Sequence, residues 1–118
     1  MNNTRTPAVA GMFYPGDAGT LGLMVDRLLA DATPEQESQP KALIVPHAGY
    51  VYSGSTAAKA YAALAPWAKQ IHRVILLGPT HRVAVDGIAV PEVEAFATPL
   101  GSIRLDAQAI ARIAELPQ

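Results

Sequence analysis

Two stretches of the chain, 42-ALIVPHAGYVYSG-54 and 74-VILLGPTH-81, limit its fold more than any other feature. Each is a short apolar run rich in branched side chains. Each breaks at a proline and delivers a histidine directly behind it or one residue later. Neither run has the polar alternation of a half-exposed strand. Residues 42–45 and 74–77 are therefore predicted to be strands covered on both faces, as in parallel sheets. Between them, Ser53 or Ser55 is placed to cap a helix running to about Ala65. Ala57, Ala58, Tyr61 and Leu64 would form one side of that helix, and its small residues would allow close approach to a sheet. Strand, helix, strand is a βαβ unit, and the crossover makes the two strands parallel, with their carboxyl ends pointing the same way.

That arrangement gives the histidines a destination. His47 and His81 each lie just past the carboxyl end of a predicted strand. Ligands of open α/β sheets bind in the crevice outside those ends. The proline ahead of each histidine removes a backbone donor and stiffens the loop that presents the ring. Two neutral imidazoles on stiff loops suit a divalent transition metal. Non-haem iron sites add a carboxylate, and catalytic zinc also takes three protein ligands. The third ligand is not in the motif. The alternative role for each histidine is a hydrogen bond to loop backbone. His72, at the amino-terminal side of the second run, reads as a surface residue, and Asp86 reads as part of the 86-DG-87 turn ahead of a carboxylate ligand.

Gly49, Gly54, Ser53, Ser55 and Thr56 fall where the first strand hands over to its helix, and amides at a helix amino terminus can hold an anionic group. No Gly-Lys-Ser follows, so this is not a Walker motif, and capping accounts for the serines equally well. Tyr50 and Tyr52 alternate, so at most one need face the site. Phe13 and Tyr14, in 11-GMFYP-15, are candidates for an aromatic rim, with simple packing as the alternative.

Elsewhere the signals are local. Leu21, Met24, Val25, Leu28, Leu29 and Ala32 mark one face of a helix that Asp17 or Thr20 could cap and Thr33-Pro34 ends. The segment 35-EQESQPK-41 reads as a surface loop. Residues 88–90 and 102–105 are weaker strand candidates, and Asp106 caps a last helix with Ala109, Ile110, Ile113 and Ala114 on its apolar side.

With 118 residues, half of them hydrophobic, the chain can bury the core of a single α/β domain covering 1–118. Nine Lys and Arg against ten Asp and Glu give a net charge of -1 with no run of like charge, so nucleic acid and anionic membranes are not expected partners. The absence of cysteine fits a reducing compartment. The amino terminus has no signal pattern, and no apolar run approaches the roughly 20 residues of a membrane span. A cytoplasmic protein is expected. A parallel sheet of two or three strands cannot cover itself, so the chain reads as the amino-terminal portion of a longer domain.

Four segments in order, 5-RTPAVAGMFYPGD-17, 46-PHAGYVYSGSTAAKAY-61, 78-GPTHRVAVDGIAV-90 and 98-TPLGSIRLD-106, resemble the Memo family, whose prokaryotic members are often called AmmeMemoRadiSam system protein B. The resemblance implies a fold similar to the class III extradiol dioxygenases of the LigB type, with a mostly parallel central sheet flanked by helices. By the same resemblance, His47 and His81 face a metal crevice, with iron first among its occupants and copper or zinc as alternatives. The remaining ligand region lies in the later part of the longer family members. The function so implied is a non-haem metal-dependent dioxygenase or oxidoreductase acting on a small molecule. A non-catalytic peptide- or anion-binding module using the same crevice is the alternative, and Phe13, Tyr14, Tyr50, Ser53 and Gly54 are the expected substrate-binding residues. A hydrolase using a zinc-bound water is a third reading. Radical SAM system proteins are the partners the family suggests.

Overall fold

The computed structural model of the chain describes residues 3–34 and 38–117. Part of the predicted 35–41 loop, residues 35–37, lies outside them. The chain divides into two compact units, Ala8–Val74 and Met1–Pro7 with Ile75–Gln118. The first is helical and the second holds the sheet.

In the helical unit, α1 (Ala18–Asp31) starts where the sequence places it: the Asp17 carboxylate accepts the Thr20 amide at 2.8 Å. Its chain leaves helical geometry at Ala32, just ahead of Thr33-Pro34. Leu21, Met24, Val25, Leu28 and Ala32 form the covered face, and Leu21 is the most deeply buried at 4% exposure. The second helix, α2 (Tyr50–Ala62), begins earlier than Ser53 or Ser55 would allow, with Gly49 as its N-cap, and it ends before Ala65. Gly49 has no side chain with which to cap, so the serines sit inside the helix. The buried residues Gly54, Ala58 and Ala62 repeat at every fourth position, a small-residue ridge into which a neighbouring helix can sink. A methyl group on Gly54 would stand 3.0 Å from Leu28 Cδ1, so α1 and α2 meet here at the limit of close packing. Tyr61, expected on the covered side, is about half-exposed. A short 3₁₀ helix, Ala65–Gln70, follows, with a proline in its first turn.

The sheet unit contains three short strands, β1 (Thr4–Arg5), β2 (Ala95–Thr98) and β3 (Gly101–Arg104), in the order β1-β2-β3. β1 runs parallel to β2 with Thr4 opposite Ala95 and Arg5 opposite Phe96, while β2 and β3 are antiparallel. The sheet is therefore mixed where a mostly parallel one was expected. β1 stops at Thr6-Pro7, where a proline has no N–H to give a ladder. Asn3 extends the pairing through its carbonyl to the Glu94 amide (2.8 Å) and its Nδ2 to the Glu92 carbonyl (2.8 Å). The hairpin turn is held by Thr98, whose Oγ1 accepts the Leu100 amide and donates to the Gly101 carbonyl, with Gly101 at a φ of 135° that favours glycine. The Arg5 guanidinium lies over the Phe96 ring at 5.6 Å. The 102–105 strand expectation is met by β3, and Asp106 caps α3 (Ala107–Ala114) by accepting the Ala109 amide at 2.9 Å.

The predicted strands at 42–45, 74–77 and 88–90 are not formed. The βαβ unit expected from residues 42–77 is consequently not observed. The physical reason lies in what a strand needs. Its backbone groups require a neighbouring strand, and a run apolar on both faces also requires cover above and below. Here Ile44 is fully exposed, and Val74, Ile75, Leu76 and Leu77 are each 72–80% exposed. Apolar character marked these runs as able to be buried. It did not supply their partners.

Candidate functional site

The segment in which the structure gathers candidate residues is residues 9–16 together with the start of α2. Gly11, at a φ of 82°, closes a tight turn in which its amide donates to the Tyr14 carbonyl (2.8 Å), while the Met12 and Phe13 amides donate to the Val9 carbonyl. The turn presents the Phe13 carbonyl to the Tyr50 amide at 2.8 Å. That amide is the first of α2, one of the donors a helix leaves without an internal partner. A side chain at Gly49 would meet the Phe13 backbone at 3.6 Å, an ordinary van der Waals contact. The Tyr14 and Tyr50 rings pack at 5.5 Å between centroids, tilted by 45°. Burial pushes the Tyr50 phenol above its ordinary value, with a smaller contribution from the nearby Tyr14 and Tyr61.

Ser53 is buried at 6% exposure, and its hydroxyl donates to the Ala48 carbonyl at 2.7 Å and the Gly49 carbonyl at 3.3 Å. Gly54 is buried beside it against Leu28. Of the five expected contact residues, Phe13, Tyr14 and Tyr50 thus form one cluster at the α2 amino terminus. Ser53 and Gly54 lie in the buried part of the same helix turn. Tyr52 is almost fully exposed, so Tyr50 is the one of the pair that joins the cluster.

His47 sits two residues ahead of the Gly49 N-cap, in the helical unit. His81 sits in the sheet unit, in an irregular segment, and both are exposed. Neither follows a formed strand. His72 is exposed, as expected, and Asp86 precedes a Gly87 at φ 78°, consistent with the turn reading. Among the described residues, no group of three or more His, Cys, Asp or Glu side chains is placed where it could hold a metal ion. No helix among the described residues is long and apolar enough to cross a membrane.

Sequence reasoning missed the carbonyl contact between Phe13 and the helix start. The glycines of 11-GMFYPG-16 ask for a tight turn, but nothing in them names the Tyr50 amide as its partner.

Comparison with known proteins places these residues in a wider context. A family described as "Memo-like protein" matches residues 5–118. A MEMO1 family protein of Aquifex aeolicus is 40% identical over 116 residues, covering 96% of this chain and 40% of the relative. The Protein memo-1 homolog of Caenorhabditis elegans is 38% identical over 88% of this chain and 29% of its own length. Protein MEMO1 of Xenopus tropicalis is 36% identical over 86% of this chain and 33% of its own length. The chain spans two-fifths or less of each of these relatives.

Proposed function

Because the chain belongs to the Memo-like protein family, we propose that it carries one half of a metal site, in which His47 and His81 are imidazole donors for a divalent ion. Iron is the first choice, with copper or zinc as alternatives, since neutral imidazole suits all three. The observation that supports this reading is the way the His47 segment is built. Ser53 holds the Ala48 carbonyl from inside the helix, and Phe13 holds the Tyr50 amide from the preceding turn. A histidine ahead of a segment pinned on both sides is a good candidate ligand, since a donor that must meet a fixed metal geometry gains from pre-organisation.

The two histidines would hold the ion, which when bound would supply oxidoreductase chemistry of the dioxygenase kind. The arrangement of the complete site is proposed to be similar to that of the class III extradiol dioxygenases. Phe13, Tyr14 and Tyr50 would form an apolar border that orients a small organic substrate, with Ser53 and Gly54 supporting them from beneath. A binding function without chemistry is the second reading. It is favoured by the exposed Phe13 beside the amino terminus of α2, where a peptide carrying an anionic group would meet both a ring and the positive end of the helix.

Elemental mass spectrometry on anaerobically purified protein tests the proposal. Bound iron or copper that falls in both His47→Ala and His81→Ala is the expected result, and oxygen uptake is then the assay for turnover. No metal in the parent or the variants, with all of them folded, would overturn it in favour of the binding reading.

A further inference from the structure

Ser53 lies in the first turns of α2, three residues beyond its first residue, Tyr50. A serine inside a helix commonly returns its hydroxyl to the carbonyl four residues back. Here that carbonyl belongs to Gly49 and already accepts the Tyr52 and Ser53 amides at 2.9 and 3.0 Å. The shorter hydroxyl bond goes one residue further, to Ala48 at 2.7 Å, against 3.3 Å to Gly49. Ala48 precedes the N-cap, so its carbonyl is outside the ladder that α2 builds for itself. The hydroxyl therefore reaches out of the helix and ties down the residue next to His47. It does so from a buried position, with exposure of 6%.

We propose that Ser53 is a positioning residue for His47, its buried hydroxyl fixing the Ala48 carbonyl and with it the backbone that presents the imidazole. The purpose of that positioning rests on the donor role proposed for His47. The geometry does not depend on it. Phe13 works from the other side by accepting the Tyr50 amide, so the 47–50 segment is pinned by a side chain from within α2 and by the backbone of the preceding turn. A serine that merely satisfied itself would be content with Gly49, and the longer reach is what separates the two roles.

Ser53→Ala and Ser53→Thr variants test this, since alanine removes the hydroxyl and threonine keeps it. In metal-free protein, NMR backbone order at Ala48 and Gly49 and the His47 ring signal should loosen in Ser53→Ala. The α2 interior should stay as ordered as in the parent, and Ser53→Thr should restore the loop. In a titration with zinc ion alone, Ser53→Ala should bind about tenfold more weakly than the parent, the factor that one hydrogen bond's free energy corresponds to, and Ser53→Thr should recover most of the loss. Unchanged order at 48–49 in Ser53→Ala, loosening spread evenly along α2, or failure of threonine to restore the loop would each overturn the positioning role. If the parent takes up no zinc, the donor reading of His47 fails, and the metal-free comparison still decides whether Ser53 holds the loop.

Discussion

The helical unit and the sheet unit are held together by different means. In Ala8–Val74, side chains interlock: Leu21 is buried, the Gly54-Ala58-Ala62 ridge receives the other helix, and the 9–14 turn is clipped to the start of α2. In the unit made of Met1–Pro7 and Ile75–Gln118, backbone pairing carries the structure. Among the described residues, Ala95 is its one buried hydrophobic residue, every residue of β3 is exposed, and α3 has no buried residue. Packing energy is concentrated in the first unit and hydrogen-bond geometry in the second. Substitutions should therefore act differently in the two.

The largest expected effect tests that contrast directly. Leu21→Ala removes the most deeply buried aliphatic side chain and should cost about 2–5 kcal/mol, read as loss of amide protection across α1 and α2. Ile103→Ala, on the exposed edge strand, should change stability by only about 0.5 kcal/mol. Comparable losses at both positions would break the distinction between the units.

A second substitution probes how tightly the helices meet. Gly54→Leu drives a side chain into the space held by Leu28 and should destabilise the helical unit by about 1–3 kcal/mol. Gly54→Ala is more finely balanced, since the gain in helix propensity, about 1 kcal/mol, opposes a methyl placed 3.0 Å from Leu28 Cδ1. Pairing Gly54→Leu with Leu28→Ala should recover part of the loss, and a double-mutant cycle in urea would measure the coupling. Strict additivity would mean that the two residues do not share a contact.

What was legible in the sequence follows the same division. Features set by neighbours within a few residues were readable: the Asp17 and Asp106 caps, the covered face of α1 except for the exposed Leu29, and the strand expected at 102–105, which forms one residue earlier as Gly101–Arg104. A cap is an interaction between residue i and the amide three positions on, and the letters carry it whole. The runs at 42–45 and 74–77 were misread because apolar composition describes what a segment could bury, while a strand depends on partners that composition does not name. The candidate site was half legible for the same reason. His47, Phe13, Tyr14 and Tyr50 stood out by type and spacing. The bond from Tyr50 to the Phe13 carbonyl joins backbone groups distant in sequence, and no side-chain pattern encodes it.

The two caps allow a smaller test, because they are the same device placed in the two units. Asp106→Ala should cost about 1 kcal/mol, seen as faster amide exchange confined to the first turn of α3. A loss that spread through the hairpin would show that α3 supports the sheet more than its exposed residues suggest.

The smallest expected effect is on pH. The Asp17 carboxyl titrates below its ordinary value, chiefly because the ionised form accepts the Thr20 backbone amide. A carboxyl depressed in the folded state binds its proton less readily there than in the unfolded chain. Its contribution is therefore complete above the unfolded value of about 3.9 and is lost as pH falls through the lower folded one. Amide exchange in the first turn of α1 should accelerate over that acidic range in the parent protein. Asp17→Asn keeps an oxygen that can accept the Thr20 amide but has no proton to gain, so the acid-dependent step should vanish while the helix start persists. If the step survived in Asp17→Asn, it would have to come from other carboxyls, and the fraying of α1 in acid would no longer be a property of its cap.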